Sequence, residues 1–117
     1  MNYCDLQVWQ KAMTLVEKIY RLTKLMPSDE RFGLSSQMQR AAVSIPSNIA
    51  EGYSRSSTKE YVKFLYVAKG SNSELFTQLL ICERIGLLTN NQITETISLS
   101  EEISKMLSAI ILKLEEK

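Results

Sequence analysis

Residues 88–114 read LTNNQITETISLSEEISKMLSAIILKL, and this stretch carries a full set of signals for one long amphipathic helix. Thr89 and Gln92 stand three apart, the spacing at which an N-cap side chain and an N3 side chain each satisfy a backbone N–H of the other. Leu88 and Ile93 hold the two positions of a hydrophobic staple. Ile93, Ile97, Leu99, Ile103, Leu107, Ile110, Ile111 and Leu114 follow, mostly at three- and four-residue steps. At 100° per residue they fall on one side. A helix with one apolar stripe is stable only when that stripe packs against other elements.

The preceding sequence supplies three such partners. Gly86 suits the left-handed position just past a helix end. The helix before it is expected to open at a Ser57–Glu60 capping box, with Tyr61, Phe64, Leu65, Ala68, Asn72, Leu75, Leu79 and Cys82 as its stripe. Asn72, in the middle of that stripe, reads as a buried polar group that fixes register. Gly52 and Ser54–Ser57 mark a loop. Before it, Leu34, Met38, Ala41, Ala42, Ile45 and Ile49 define a second helix from about Phe32 or Leu34 to Tyr53. Pro46 lies inside it and removes the hydrogen bond to the Ala42 carbonyl. The stripe keeps its phase on both sides of the proline, so the expectation is one continuous helix kinked there. The first helix spans about Asp5 to Met26, with Val8, Trp9, Ala12, Met13, Leu15, Val16, Ile19, Tyr20 and Leu22 as its apolar positions, and Pro27-Ser28-Asp29 ends it. Trp9 and the five methionines read as core residues. Four amphipathic helices joined by short loops predict an all-α, up-down-up-down antiparallel four-helix bundle, one domain over residues 1–117.

Composition narrows the chemistry. Two prolines and four glycines in 117 residues are too few turn formers for a many-stranded sheet protein. Histidine is absent, which removes the commonest general base and the commonest transition-metal ligand. Cys4 and Cys82 have no CxxC partner, Glu51 and Glu60 have no nucleophile or paired base beside them, and the four glycines are scattered. The expectation is no enzyme, no cofactor and no metal. Neither a membrane span nor a leader pattern is evident, so a cytoplasmic location with free thiols is expected.

Net charge is +1, but its distribution is uneven. Arg31, Arg40, Arg55, Lys59, Lys63 and Lys69 face only Glu51 and Glu60 between Arg31 and Gly70, whereas the segment from Thr89 onward holds five acids and three bases. On the third helix Lys59, Lys63, Tyr66, Gly70, Ser73 and Thr77 point away from the core stripe, with Lys69 at its edge. Cations interleaved with an aromatic suit phosphate contacts and base stacking, so Arg55, Lys59, Lys63, Tyr66 and Lys69 are candidate nucleic-acid ligands. A solvated lysine face is the plainer reading of the same residues. On the second helix Gln37, Arg40, Ser44, Asn48, Glu51 and Arg55 form a polar stripe, while Val43, Pro46 and Ala50 form a small apolar face turned from the core. Gln37, Arg40, Val43, Ser44, Pro46, Asn48, Ala50 and Glu51 are therefore candidates for a subunit interface. An ordinary surface with a few small apolar residues is the alternative.

Arg40-Ala41-Ala42-Val43-Ser44-Ile45-Pro46-Ser47-Asn48-Ile49-Ala50-Glu51-Gly52 resembles the hallmark of the 23S ribosomal RNA intervening-sequence proteins, also called the S23 family. Phe32-Gly33-Leu34 with Gln37 is similar to the family's lead-in. Leu6–Ala12, Ala68–Leu75 and Thr77-Gln78-Leu79 match as well, and the last helix matches in pattern. The resemblance implies a four-helix bundle that assembles as a ring-like homopentamer. Some members are encoded within intervening sequences of ribosomal RNA genes, and accessory proteins of diversity-generating retroelements are similar bundles that work with a reverse transcriptase and RNA. Two functions are thus expected from different classes. One is an oligomer that binds RNA or DNA, most naturally structured RNA. The other is a scaffold for a partner enzyme such as a reverse transcriptase, without nucleic-acid contact.

Overall fold

In the computed structural model, which describes residues 2–116, four helices follow one another in the order the stripes require. They are α1 (Gln7–Thr23), α2 (Leu34–Tyr53), α3 (Thr58–Arg84) and α4 (Asn90–Glu115), with single 3₁₀ turns at Tyr3–Asp5 and Ser28–Glu30. Each packs antiparallel on its neighbour in sequence, and α1 closes the bundle against α4. The result measures 46 × 22 × 20 Å.

Local chemistry fixes the ends. Thr89 Oγ1 accepts from Gln92 N at 3.2 Å, and Gln92 Oε1 accepts from Thr89 N at 2.9 Å, so the reciprocal box forms. Both staple residues, Leu88 and Ile93, are buried. At α3 only half of the expected box is present. Ser57 Oγ accepts from Glu60 N at 3.1 Å, whereas Glu60 does not return the bond. Gly86 has φ +82°, and Leu87 N donates to Cys82 O at 2.9 Å across it, ending α3 as a left-handed glycine does. The first helix is shorter than expected, since Leu25 N and Met26 N bond three residues back and tighten the chain before Pro27. α2 runs unbroken through Pro46.

Leu15, Ile19, Met38, Ile45, Ile49, Leu65, Leu75, Leu79, Ile103 and Leu107 are all fully buried in one core that draws on every helix. The methionines divide. Met26 and Met38 are in the core and Met106 packs at its edge, but Met13 is 39% exposed, and Met1 lies outside the described residues. Trp9 is also half-buried rather than central, its ring edge-on to Tyr3 at 5.5 Å. Asn72 is 2% exposed; its Nδ2 donates to Ser100 O at 2.8 Å and its Oδ1 accepts from Ser100 Oγ at 2.9 Å, so it locks α3 to α4 in register as expected.

Burial pushes the Cys82 thiol up, with the nearby Glu30 carboxylate adding to the effect, and Cys82 Sγ sits 3.5 Å from Met38 Sδ. A raised thiol holds less thiolate at neutral pH and reacts more slowly. Iodoacetamide should therefore modify exposed Cys4 in the native protein and spare Cys82 until denaturant is added. Peptide mass mapping reads both sites, and equal labelling of the two under native conditions would contradict the packing described.

Candidate nucleic-acid interface and assembly face

α3 presents its first turns outward at the end of the bundle where its N-terminus lies. Lys59, Lys63 and Tyr66, four and then three residues apart, are all exposed, Tyr66 by 49%. Lys69 is only half exposed, at the α4 side of the same helix. Among the described residues no carboxylate lies within 4 Å of Lys59, Lys63 or Lys69. The helix N-terminus adds its own partial positive charge beside Lys59, in the first turn. Two acids oppose this. Glu60 is in the first turn, and Glu115 at the end of α4 accepts from the Tyr66 hydroxyl at 3.4 Å.

Arg55 departs from the group. Its guanidinium pairs with Glu51 at 2.7 Å and lies over the Phe64 ring at 5.0 Å, so it is held by its own chain. An exposed pair four residues apart on a helix contributes only ~0.3–0.5 kcal/mol, which a phosphate can displace. The lysines are available as they stand, and Arg55 is available by exchange.

Both outer sides of the second helix are partly covered by the rest of its own chain. Ser44 Oγ is 2.8 Å from Ser71 Oγ of α3, and Asn48 Nδ2 donates to Ser44 O at 2.8 Å and to Ser44 Oγ at 2.9 Å. The middle of the polar stripe is thus used in joining α2 to α3, while Gln37, Arg40 and Glu51 remain exposed. On the other side Pro46 is buried and Ala50 is half-buried, because Tyr3, Trp9, Met13 and Val16 line a groove of about 330 Å³ with them. At Val43, which is 41% exposed, this groove meets a second hollow of about 430 Å³ reaching Tyr20 and Arg40. Met13 and Tyr20 belong to the apolar stripe expected for α1, yet they are 39% and 42% exposed, because they lie at its edge rather than over the core. Their place beside Val43, which the sequence does not reveal, follows from the pairing of α1 with α2.

Among the described residues no three His, Cys, Asp or Glu side chains gather in a way that could hold a metal ion. No helix among them is long and apolar enough to cross a membrane.

The family model for the 23S rRNA-intervening sequence protein matches residues 4–109. Among solved structures, the chain is similar to a protein of unknown function from the S23 ribosomal protein family of Bacteroides thetaiotaomicron VPI-5482. Identity is 28%, the match covers 89% of this chain and 97% of that one, and the TM-score is 0.83. No match was found among curated proteins.

Proposed function

The chain belongs to the 23S rRNA-intervening sequence protein family, and from that membership and the lysine face of α3 we propose that it is a non-catalytic homo-oligomer that binds structured RNA. The observation that carries this reading is the pair Lys59 and Lys63, exposed, with no carboxylate within 4 Å among the described residues, and placed in the first two turns of a helix near an exposed tyrosine. One such face is weak. Repeated around an assembly, five copies in the form expected for the family, it binds one RNA through several contacts at high effective concentration.

Phosphate binding releases condensed counterions, each contributing about −0.7 to −0.9 to the slope of log affinity against log salt. Changing Lys59 and Lys63 together to glutamine is expected to weaken binding to all RNA sequences alike and to flatten that slope by about two units per subunit engaged. Fluorescence anisotropy across a salt series reads both quantities. If the unmodified assembly binds neither RNA nor DNA at low salt, the lysines are solvated, and the second reading, a scaffold for a partner enzyme, takes over.

Assembly has its own test. The groove shared by α1 and α2 leaves Met13, Tyr20 and Val43 open to solvent, an apolar strip that a second copy would cover. Ala50→Glu places a charge in that groove and is expected to shift the protein toward monomer with its helical signal intact. Light scattering with circular dichroism checks this, and a monomeric parent protein at tens of micromolar would remove the assembly.

A further inference from the structure

We propose that the notch between α3 and α4 is a pocket for a single unpaired nucleobase, guanine in preference to the others; this rests on the RNA-binding reading above and adds base selection to it. The notch is open on its outer side and has a volume of about 290 Å³, near the lower end of the range for small-molecule sites, ~300 Å³. Its floor is the Asn72–Ser100 pair, its side includes the Phe76 ring, and Glu101, Ser73 and Ser104 stand around it. Small hydroxyl residues at Ser100 and Ser104, where a bundle usually packs larger apolar ones, keep the space open.

Each part has a chemical use. Asn72 donates one of its two amide N–H groups to Ser100 O, and among the described residues the other has no partner. Ser100 Oγ is committed to Asn72 Oδ1, so that N–H and the hydroxyls of Ser73 and Ser104 are the donors that suit the carbonyl and ring-nitrogen acceptors of a base. The Phe76 ring gives it an apolar surface to rest on, as single-stranded RNA recognition commonly requires. Glu101 is exposed, and among the described residues it has no cation within 4 Å. A carboxylate accepts hydrogen bonds only, so it selects bases with donors on the pairing edge. Guanine presents two adjacent donors there, N1–H and the exocyclic amine, one for each carboxylate oxygen. Uracil presents one N–H between two carbonyls, which a carboxylate repels. The same negative charge keeps the phosphate chain out of the notch. That chain has a path along the outer side of α3, where Ser73 lies ten residues, or ~15 Å, beyond Lys63.

The test compares two short RNAs of equal length, one all uracil and one with a single central guanine, by anisotropy on the intact assembly. The guanine strand is expected to bind about tenfold more tightly at the same salt. Glu101→Gln should erase that preference while leaving the salt slope unchanged, because it touches no phosphate. Ser104→Leu, which fills the notch, should do the same, with a thermal melt confirming that it folds. Equal affinity for the two strands, or a guanine preference that survives Glu101→Gln, would overturn the pocket and leave the lysine reading standing. Failure of both strands to bind at low salt overturns the RNA reading itself, and the pocket with it.

Discussion

Gly52→Ala is expected to lower the stability of the bundle, whereas the same change at Gly70 is expected to raise it. Both glycines are inside helices, where alanine is ordinarily favoured by ~0.5–1 kcal/mol. Their surroundings differ. A Cβ on Gly52 would stand 2.7 Å from Phe64 Cβ, 3.1 Å from Tyr61 Cδ1 and 3.1 Å from the Tyr61 carbonyl oxygen. These atoms belong to the first turns of α3 and include backbone, so relief requires the two helices to part. Overpacking of that kind costs about 1–3 kcal/mol, more than the helix propensity returns. A Cβ on Gly70 meets nothing within 4 Å. Urea melts of the two variants at one protein concentration give the comparison, and a Gly52→Ala protein as stable as its parent would refute the close approach of α2 and α3.

Ile45→Ala is expected to cost more, about 2–5 kcal/mol, with a fall in melting temperature on the order of 4 °C per kcal/mol. Ile45 is fully buried in the core face of α2. Two features limit collapse of the site around the loss. Pro46 stiffens the backbone on one side, and the Ser44–Ser71 contact pins it on the other. Val43→Ala, two residues away and 41% exposed, serves as the control and should cost little in the monomer. Similar losses for the two would contradict the inward orientation of Ile45.

The four helices were legible because each carries an apolar period of 3.6 and a stop or start that depends on neighbours in sequence. Thr89 with Gln92, Gly86 and Pro27 act over a few residues and need no tertiary partner. Sequence also placed Lys59, Lys63 and Tyr66 correctly on the outside, since exposure on a helix follows from the position of its stripe. What depends on a second helix was not legible. Gly52 reads as a loop former in one dimension and becomes the contact point of α2 with Phe64 only in three. Arg55 looks like a free cation until Phe64 is found beneath it. Glu101 and Ser104 carry no local signal, and they join Ser73 and Phe76 only through the register that Asn72 and Ser100 set.

The ring of helices closes last in space between α1 and α4, where Lys11 meets Glu102 at 3.1 Å and Lys18 meets Glu95 at 2.7 Å. Every other helix pair is joined by a short connection, so its contacts form at small loop-closure cost. The α1–α4 seam alone joins the two ends of the chain. In kinetic terms, the three hairpins are expected to form ahead of the α1–α4 seam that closes the bundle, with folding in the microsecond-to-millisecond range of helical bundles. Breaking Lys18–Glu95 should then act chiefly on the rate of unfolding and leave the rate of folding nearly unchanged.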